Sequence, residues 1–204
     1  LLCILSLFMI IPAFVDWFYG NDDWPAFVGA SFITLFVGSI CYLSNKGIIT
    51  EHLELRQAFL LTNSAWISIA LFGSIPFMLS EIDMSFTDAI FESTSGITTT
   101  GATVINNLDT TSHGILIWRA LLQWLGGVGI IVMALAVLPM LSIGGMQLFK
   151  TESYETPDKV VPKAASFAAG ISLVYISLTT LWALMLWIAG MPIFDSIAHA
   201  MTTI

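Results

Sequence analysis

MSFTDAIFESTSGITTTGATV, residues 84–104, breaks the character of the chain around it. Hydroxyl side chains and glycines crowd into it, whereas its flanks are dominated by Leu, Ile, Phe and Trp. Residues 84–96 read as a short helix. Ser85 or Thr87 caps its start, Asp88 sits where the helix dipole favours negative charge, and Gly96 can end it. Ile90 and Phe91 give it an apolar side. A helix of this length rises roughly 20 Å, too little to cross a hydrocarbon core of about 30 Å.

That comparison matters because the solvent of this chain is a bilayer. Of its 204 residues 57% are hydrophobic and 10% charged, whereas soluble domains carry about 25% charged residues. Apolar runs long enough to span occur at 1–15, 24–43, 57–79, 114–147 and 164–190, the first of them short. The chain starts within an apolar run and without Met, which is expected of a fragment. Of the six basic residues, Lys46, Arg56, Lys150, Lys159 and Lys163 fall in segments 44–56 and 148–163, so both segments are expected on the cytoplasmic side. Nine of the fourteen acids, Asp16, Asp22, Asp23, Glu81, Asp83, Asp88, Glu92, Asp109 and Asp195, fall on the other side. An acidic outer face concentrates cations by focusing the field, although acids also accumulate wherever Lys and Arg are excluded.

Residues 80–113 therefore leave and re-enter on the outer side. Non-helical backbone at membrane depth is tolerated only where it is buried in protein or lines a watery cavity, since lipid cannot satisfy its N–H and C=O groups. On these residues alone two readings of TTTGA stay open. It is an ordinary polar loop at the outer surface, or an extended strand whose carbonyl ladder replaces the hydration shell of a monovalent cation. In the second reading Gly101 permits a backbone conformation that a Cβ disfavours, the threonines hold the chain extended, and the short helix aims its partially negative C-terminus at the cavity.

Self-similarity favours the second reading. An offset of 107 residues places Asp88 on Asp195, Ile90 on Ile197, Ile97 on Ile204 and Arg56 on Lys163. A unit of span, re-entrant helix, filter strand and span thus recurs, with the second copy cut at Ile204. The repeat predicts a glycine at position 208 of a longer chain, matching Gly101. The expected organisation is two preliminary helices over 1–45, a complete pore repeat over 46–150, and the first half of a second repeat over 151–204.

SGITTTGATV (95–104), followed by WRALLQWLGGVGIIVMALAVLPMLSIGGMQLF (118–149), resembles the TrkH/KtrB family of potassium-uptake transporters, and the similarity covers essentially the whole chain as the N-terminal part of such a protein. The resemblance implies an all-α integral membrane fold of potassium-channel-like repeats, four of them in one polypeptide around a pseudo-fourfold pore. It implies a homodimer with a cytoplasmic nucleotide-binding regulatory subunit, in the plasma (inner) membrane of a bacterium or archaeon. The implied activity is inward conduction of potassium, the only metal ion expected, with filter positions Thr99, Thr100 and Gly101 flanked by Thr98 and Ala102. The chain lacks the TVGYG of potassium channels, as family members do, which leaves the preference between potassium, rubidium and sodium open.

Glu92, ionisable at membrane depth, is a candidate to support the filter by accepting from its backbone N–H groups. Arg119, the basic residue outside the cytoplasmic segments, either snorkels or pairs with Asp109 or Glu92 as an anchor. Gly126, Gly127, Gly129, Pro139, Gly144 and Gly145 in the fourth span favour close helix packing over a hinge or dimer contact. Residues 151–163 read as a linker with a docking role second. His52, His113 and His199 lack metal-ligand spacing, Cys3 and Cys41 lie in apolar runs, and no basic stripe offers itself to nucleic acid. No cofactor is expected. No nucleophile–base pair appears in the spans, so an enzyme ranks last, behind a secondary transporter whose broken helices bind a small substrate at midplane.

Overall fold

A computed structural model of the chain describes residues 1–46, 55–141 and 160–204. Every regular element among the described residues is helical: α1 (Leu2–Phe8), α2 (Ile10–Tyr19), α3 (Trp24–Asn45), α4 (Leu55–Gly73), α5 (Ile75–Leu79), α6 (Phe86–Ile97), a single 3₁₀ turn (Leu108–Thr110), α7 (His113–Leu141), α8 (Val160–Ile188) and α9 (Ile193–Thr203). Helices are what a bilayer demands, because each satisfies its own backbone. Five stretches are long and apolar enough to cross: Leu2–Tyr19, Trp24–Asn45, Phe59–Leu79, His113–Ile131 and Ala169–Ile188. They match the five apolar runs of the sequence, and the first proves longer than expected because Asp16 continues the helix, fully buried.

The chain forms two compact units, Leu1–Gly126 and Gly127–Ile204. In the first, α1 lies so close on α3 that a Cβ at Gly38 would stand 3.0 Å from the Cys3 backbone nitrogen. Cys3 and Cys41 are free thiols. The third span is broken between α4 and α5. There Pro76 lacks an N–H, and Ser74 turns its hydroxyl back onto the Leu71 carbonyl at 2.7 Å. Trp118 of α7 is fully buried and donates its indole N–H to the Gly73 carbonyl at 3.0 Å, which ties the break to α7. In the second unit α8 runs unbroken and is followed by the short α9.

Two sequence boundaries move. Helix α8 begins at Val160, inside the stretch read as a linker to 163; Pro162 is tolerated because it stands in the first turn, where an N–H has no helical partner. The fourth span is helical from His113 to Leu141. Its expected continuation to 147, with Gly144 and Gly145, lies outside the described residues, as do His52, Lys150, Lys159 and most of the expected linker.

Candidate functional site

The short helix exists where the hydroxyl-rich sequence placed it. Ser85 is its N-cap: the Asp88 N–H donates to Ser85 Oγ at 3.2 Å, and Ser85 Oγ in turn donates to the Asp88 carboxylate at 2.6 Å. Thr87 is therefore inside the helix rather than at its start. Gly96 does not end it. The helix continues through Ile97, and Gly96 is interior because a Cβ there would stand 3.0 Å from the Leu122 Cβ. Close approach of α7, not chain reversal, is what this glycine serves.

Beyond Ile97 the backbone turns sharply without becoming an extended strand. Thr99 has φ 57° and Gly101 φ 74°, both left-handed, so the expected extended threonine run is corrected to one that alternates. For a β-branched residue such a φ is an outlier that costs about 1–3 kcal/mol and persists only where its surroundings impose it. The imposing contacts are four consecutive N–H groups. Thr98 donates to the Thr94 carbonyl at 2.9 Å, Thr99 to Gly96 at 2.9 Å, and Thr100 and Gly101 both to Ser95 at 2.9 and 3.3 Å.

Peptide planarity turns this into a statement about oxygen atoms. In a trans peptide the C=O points opposite to the N–H of the next residue. With the N–H groups of residues 98–101 turned back on α6, the carbonyls of Ile97, Thr98, Thr99 and Thr100 point away from it. The Ile97 carbonyl packs on α7, where a Cβ at Gly126 would come within 2.1 Å of it. Among the described residues nothing donates to the carbonyls of Thr98, Thr99, Thr100 or Gly101, and all four residues are exposed. Ala102 differs: its carbonyl accepts from Ser95 Oγ at 2.6 Å. At Gly101 the nearest atoms to a Cβ would be those of the Gln123 amide, at 3.7 Å and beyond, so its φ rather than crowding demands glycine.

Glu92 is 1% exposed and holds the outgoing limb of the loop. One carboxylate oxygen accepts from the Val104 N–H at 3.0 Å and from Thr103 Oγ1 at 3.1 Å, and the other pairs with Arg119 Nε. The two candidates singled out separately in the sequence thus form one strut between α6, the loop and α7, and Asp109 is not Arg119's partner. A charge at this depth is tolerable because it is both paired and hydrogen-bonded. Ser95, Thr103 and the Asp16–Gly114 contact were missed by the sequence; Ser95 gave no signal beyond its place in a polar run.

The described residues 193–203 form the second short helix, α9, and its first residue, Ile193, lies 107 positions after Phe86. The offset inferred from sequence is therefore also the offset between the two helix starts. Among the described residues no group of His, Cys, Asp or Glu could hold a metal ion with side chains.

A family model described as TrkH, cation transport protein, matches residues 24–204. The chain is 42% identical over its full length to the Trk system potassium uptake protein TrkH of Salmonella typhimurium, spanning 43% of that relative. It is 39% identical to TrkI of Halomonas elongata, covering 98% of this chain and 41% of that one. Among solved structures, the crystal structure of the potassium transporter TrkH from Vibrio parahaemolyticus superposes with a TM-score of 0.84 at 38% identity, covering 98% of this chain and 40% of the other. The chain thus spans less than half the length of the relatives it matches.

Proposed function

For a chain that belongs to the TrkH family of cation transport proteins, we propose that residues 46–150 form one pore repeat of a potassium-uptake subunit and that the loop 98–101 contributes one quarter of its filter. This is a transport role and not an enzymatic one. The observation that carries the proposal is the set of carbonyls at Thr98, Thr99 and Thr100, which accept from no donor among the described residues and are all turned away from α6 by the hydrogen bonds of the following N–H groups. Oxygen dipoles so fixed can replace ion hydration without reorganising, which is how a carbonyl-lined pore binds and releases a monovalent cation. Gly101 follows them as the left-handed residue that closes the turn. One loop cannot enclose an ion, so further repeats of the intact protein supply the rest, the second beginning within 151–204.

In this reading ions enter from the acidic side, lose water at the loop and move inward down their electrochemical gradient. By the positive-inside rule the basic segments 44–56 and 148–163 face the cytoplasm, and the membrane of this reading is the plasma membrane of a bacterial or archaeal cell. The intact protein is a homodimer that docks a cytoplasmic nucleotide-binding subunit.

Rubidium uptake by the full-length protein in liposomes tests the site. Gly101→Ser is expected to abolish uptake or to make sodium compete, because any L side chain at φ 74° costs about 1–2 kcal/mol and shifts the carbonyls beside it. Unchanged uptake and unchanged selectivity would reduce the loop to a surface turn and return the broken-helix transporter as the better account.

A further inference from the structure

Helices α1, α2 and α3 lie outside the proposed pore repeat. Their contact with α7 is specific. Asp16, in the last turn of α2, is fully buried, and its Oδ1 accepts from the Gly114 N–H at 2.5 Å and from Asn21 Nδ2 at 2.8 Å. Gly114 is the second residue of α7, where a helix has N–H groups without helical partners and where its dipole favours an acidic group. Asn21 Nδ2 also lies 3.3 Å from His113 Nδ1, and the Tyr19 ring stacks on the His113 imidazole at 4.0 Å between centroids. From α3, Phe27 meets Trp118 edge-on at 6.4 Å. The fit leaves no slack, since a Cβ on Gly114 would stand 2.1 Å from Asp16 Oδ2 and 2.8 Å from the Phe27 ring.

Four contact residues of α7 are spaced by four and so share one face: Gly114, Trp118, Leu122 and Gly126. Gly114 meets Asp16, Trp118 the Gly73 carbonyl, Leu122 the interior Gly96, and Gly126 the Ile97 carbonyl immediately before the filter loop. Arg119, beside this row, holds Glu92 and through it Val104. The twelve residues from 114 to 126 make a straight bar about 18 Å long. A displacement at its outer end is therefore delivered to both limbs of the loop.

We propose that the α1–α3 hairpin positions the filter, with Asp16 as the positioning residue acting through Gly114 and α7. The inference rests on reading 98–101 as the filter. Asp16 touches no ion, so the readout is selectivity, which a merely structural residue leaves unchanged in the protein that still folds.

The test is rubidium uptake with sodium competition in liposomes of the full-length protein, normalised to correctly folded protein. Asp16→Ala removes the acceptor from Gly114 and is expected to lower rubidium-over-sodium discrimination roughly three- to tenfold, in the range of couplings between distant sites. Asp16→Asn, which keeps an oxygen for the Gly114 N–H, should stay within about twofold of wild type by the same measure. Gly114→Ala should resemble Asp16→Ala, and the double variant should be no worse than either, because both act at one contact. Asn21→Ala, which removes only the second donor to Asp16, gives a milder version should Asp16→Ala fail to fold. Wild-type discrimination in both Asp16→Ala and Asn21→Ala, or in Asn21→Ala where Asp16→Ala does not fold, overturns the proposal while Gly101→Ser still alters it. Discrimination unmoved by Gly101→Ser would instead sink the filter reading itself.

Discussion

The short helices α6 and α9 start 107 residues apart and bury the same two positions, yet they are finished differently. Ala89 and Ser93 are fully enclosed in α6, and their counterparts Ser196 and Ala200 are enclosed in α9. Asp88 and Asp195 both stand third in the helix, at the positive end of its dipole. Small residues on one face and an acid in the first turn are thus what the repeat shares. Glu92 is another matter: its counterpart is His199, which is exposed, while Glu92 is buried against Arg119. At the start, Ser85 caps α6 with its hydroxyl, whereas Pro192 caps α9 without a side-chain hydrogen bond. The repeat carries the backbone and the packing face, and the charged strut belongs to the first copy.

Exchanging the strut should have the largest effect. Glu92→His gives α6 the residue of α9, strips Val104 and Thr103 of their acceptor and leaves Arg119 without its partner. Breaking a buried pair in this way costs about 3–5 kcal/mol, so thermal unfolding in detergent should show a markedly lower Tm and rubidium uptake should fall. His199→Ala should leave stability within about 0.5 kcal/mol of wild type. Equal losses in the two variants would erase the distinction between the copies.

A middle-sized effect is expected at the glycines. Gly73→Ala drives a Cβ to 2.6 Å from Ser93 Oγ and 3.3 Å from Leu122, an overpacking expected to cost about 1–3 kcal/mol. In α8 a Cβ on Gly170 meets nothing within 4 Å, and Gly170→Ala should raise helix stability by up to about 1 kcal/mol. Tm measured on the two variants side by side checks both signs at once. The smallest effect belongs to the caps. Ser85→Ala should cost about 1 kcal/mol, and Pro192→Ser should recover a fraction of that amount in α9, whose φ and ψ at that position already suit a cap.

Spans, short helix and repeat were legible because each is written as a local pattern: apolar length, a cap with an acid behind it, and a constant offset. The details of the site were not, and the reasons differ by residue. Three threonines in a row argue for extended backbone from side-chain preference, but at Thr99 the carbonyls of Ser95 and Gly96 claim the neighbouring N–H groups and force a left-handed turn. Gly96 reads as punctuation from sequence, whereas the proximity of Leu122 makes it a packing residue. Glu92 and Arg119 are both visible as costly charges, but from sequence snorkelling or Asp109 would serve Arg119 as well as Glu92 does, and only the packing of α6 beside α7 selects Glu92. Asp16 counted only as one acid among nine, since its partner lies 98 residues away and is a backbone N–H that no side-chain pattern reveals.

The four N–H groups of residues 98–101 also decide which sign of charge the loop can greet. An anion needs donors, and all four backbone N–H groups of this stretch are already engaged by α6. What the exposed side of the peptide planes offers is oxygen alone, beside the hydroxyls of Thr98 and Thr100, which bond to each other at 2.8 Å. Chloride arriving at this surface meets the negative ends of amide dipoles and finds the backbone N–H groups turned away. On the proposed reading of this loop as a filter, the direction of four peptide planes disfavours anions before ionic radius enters at all.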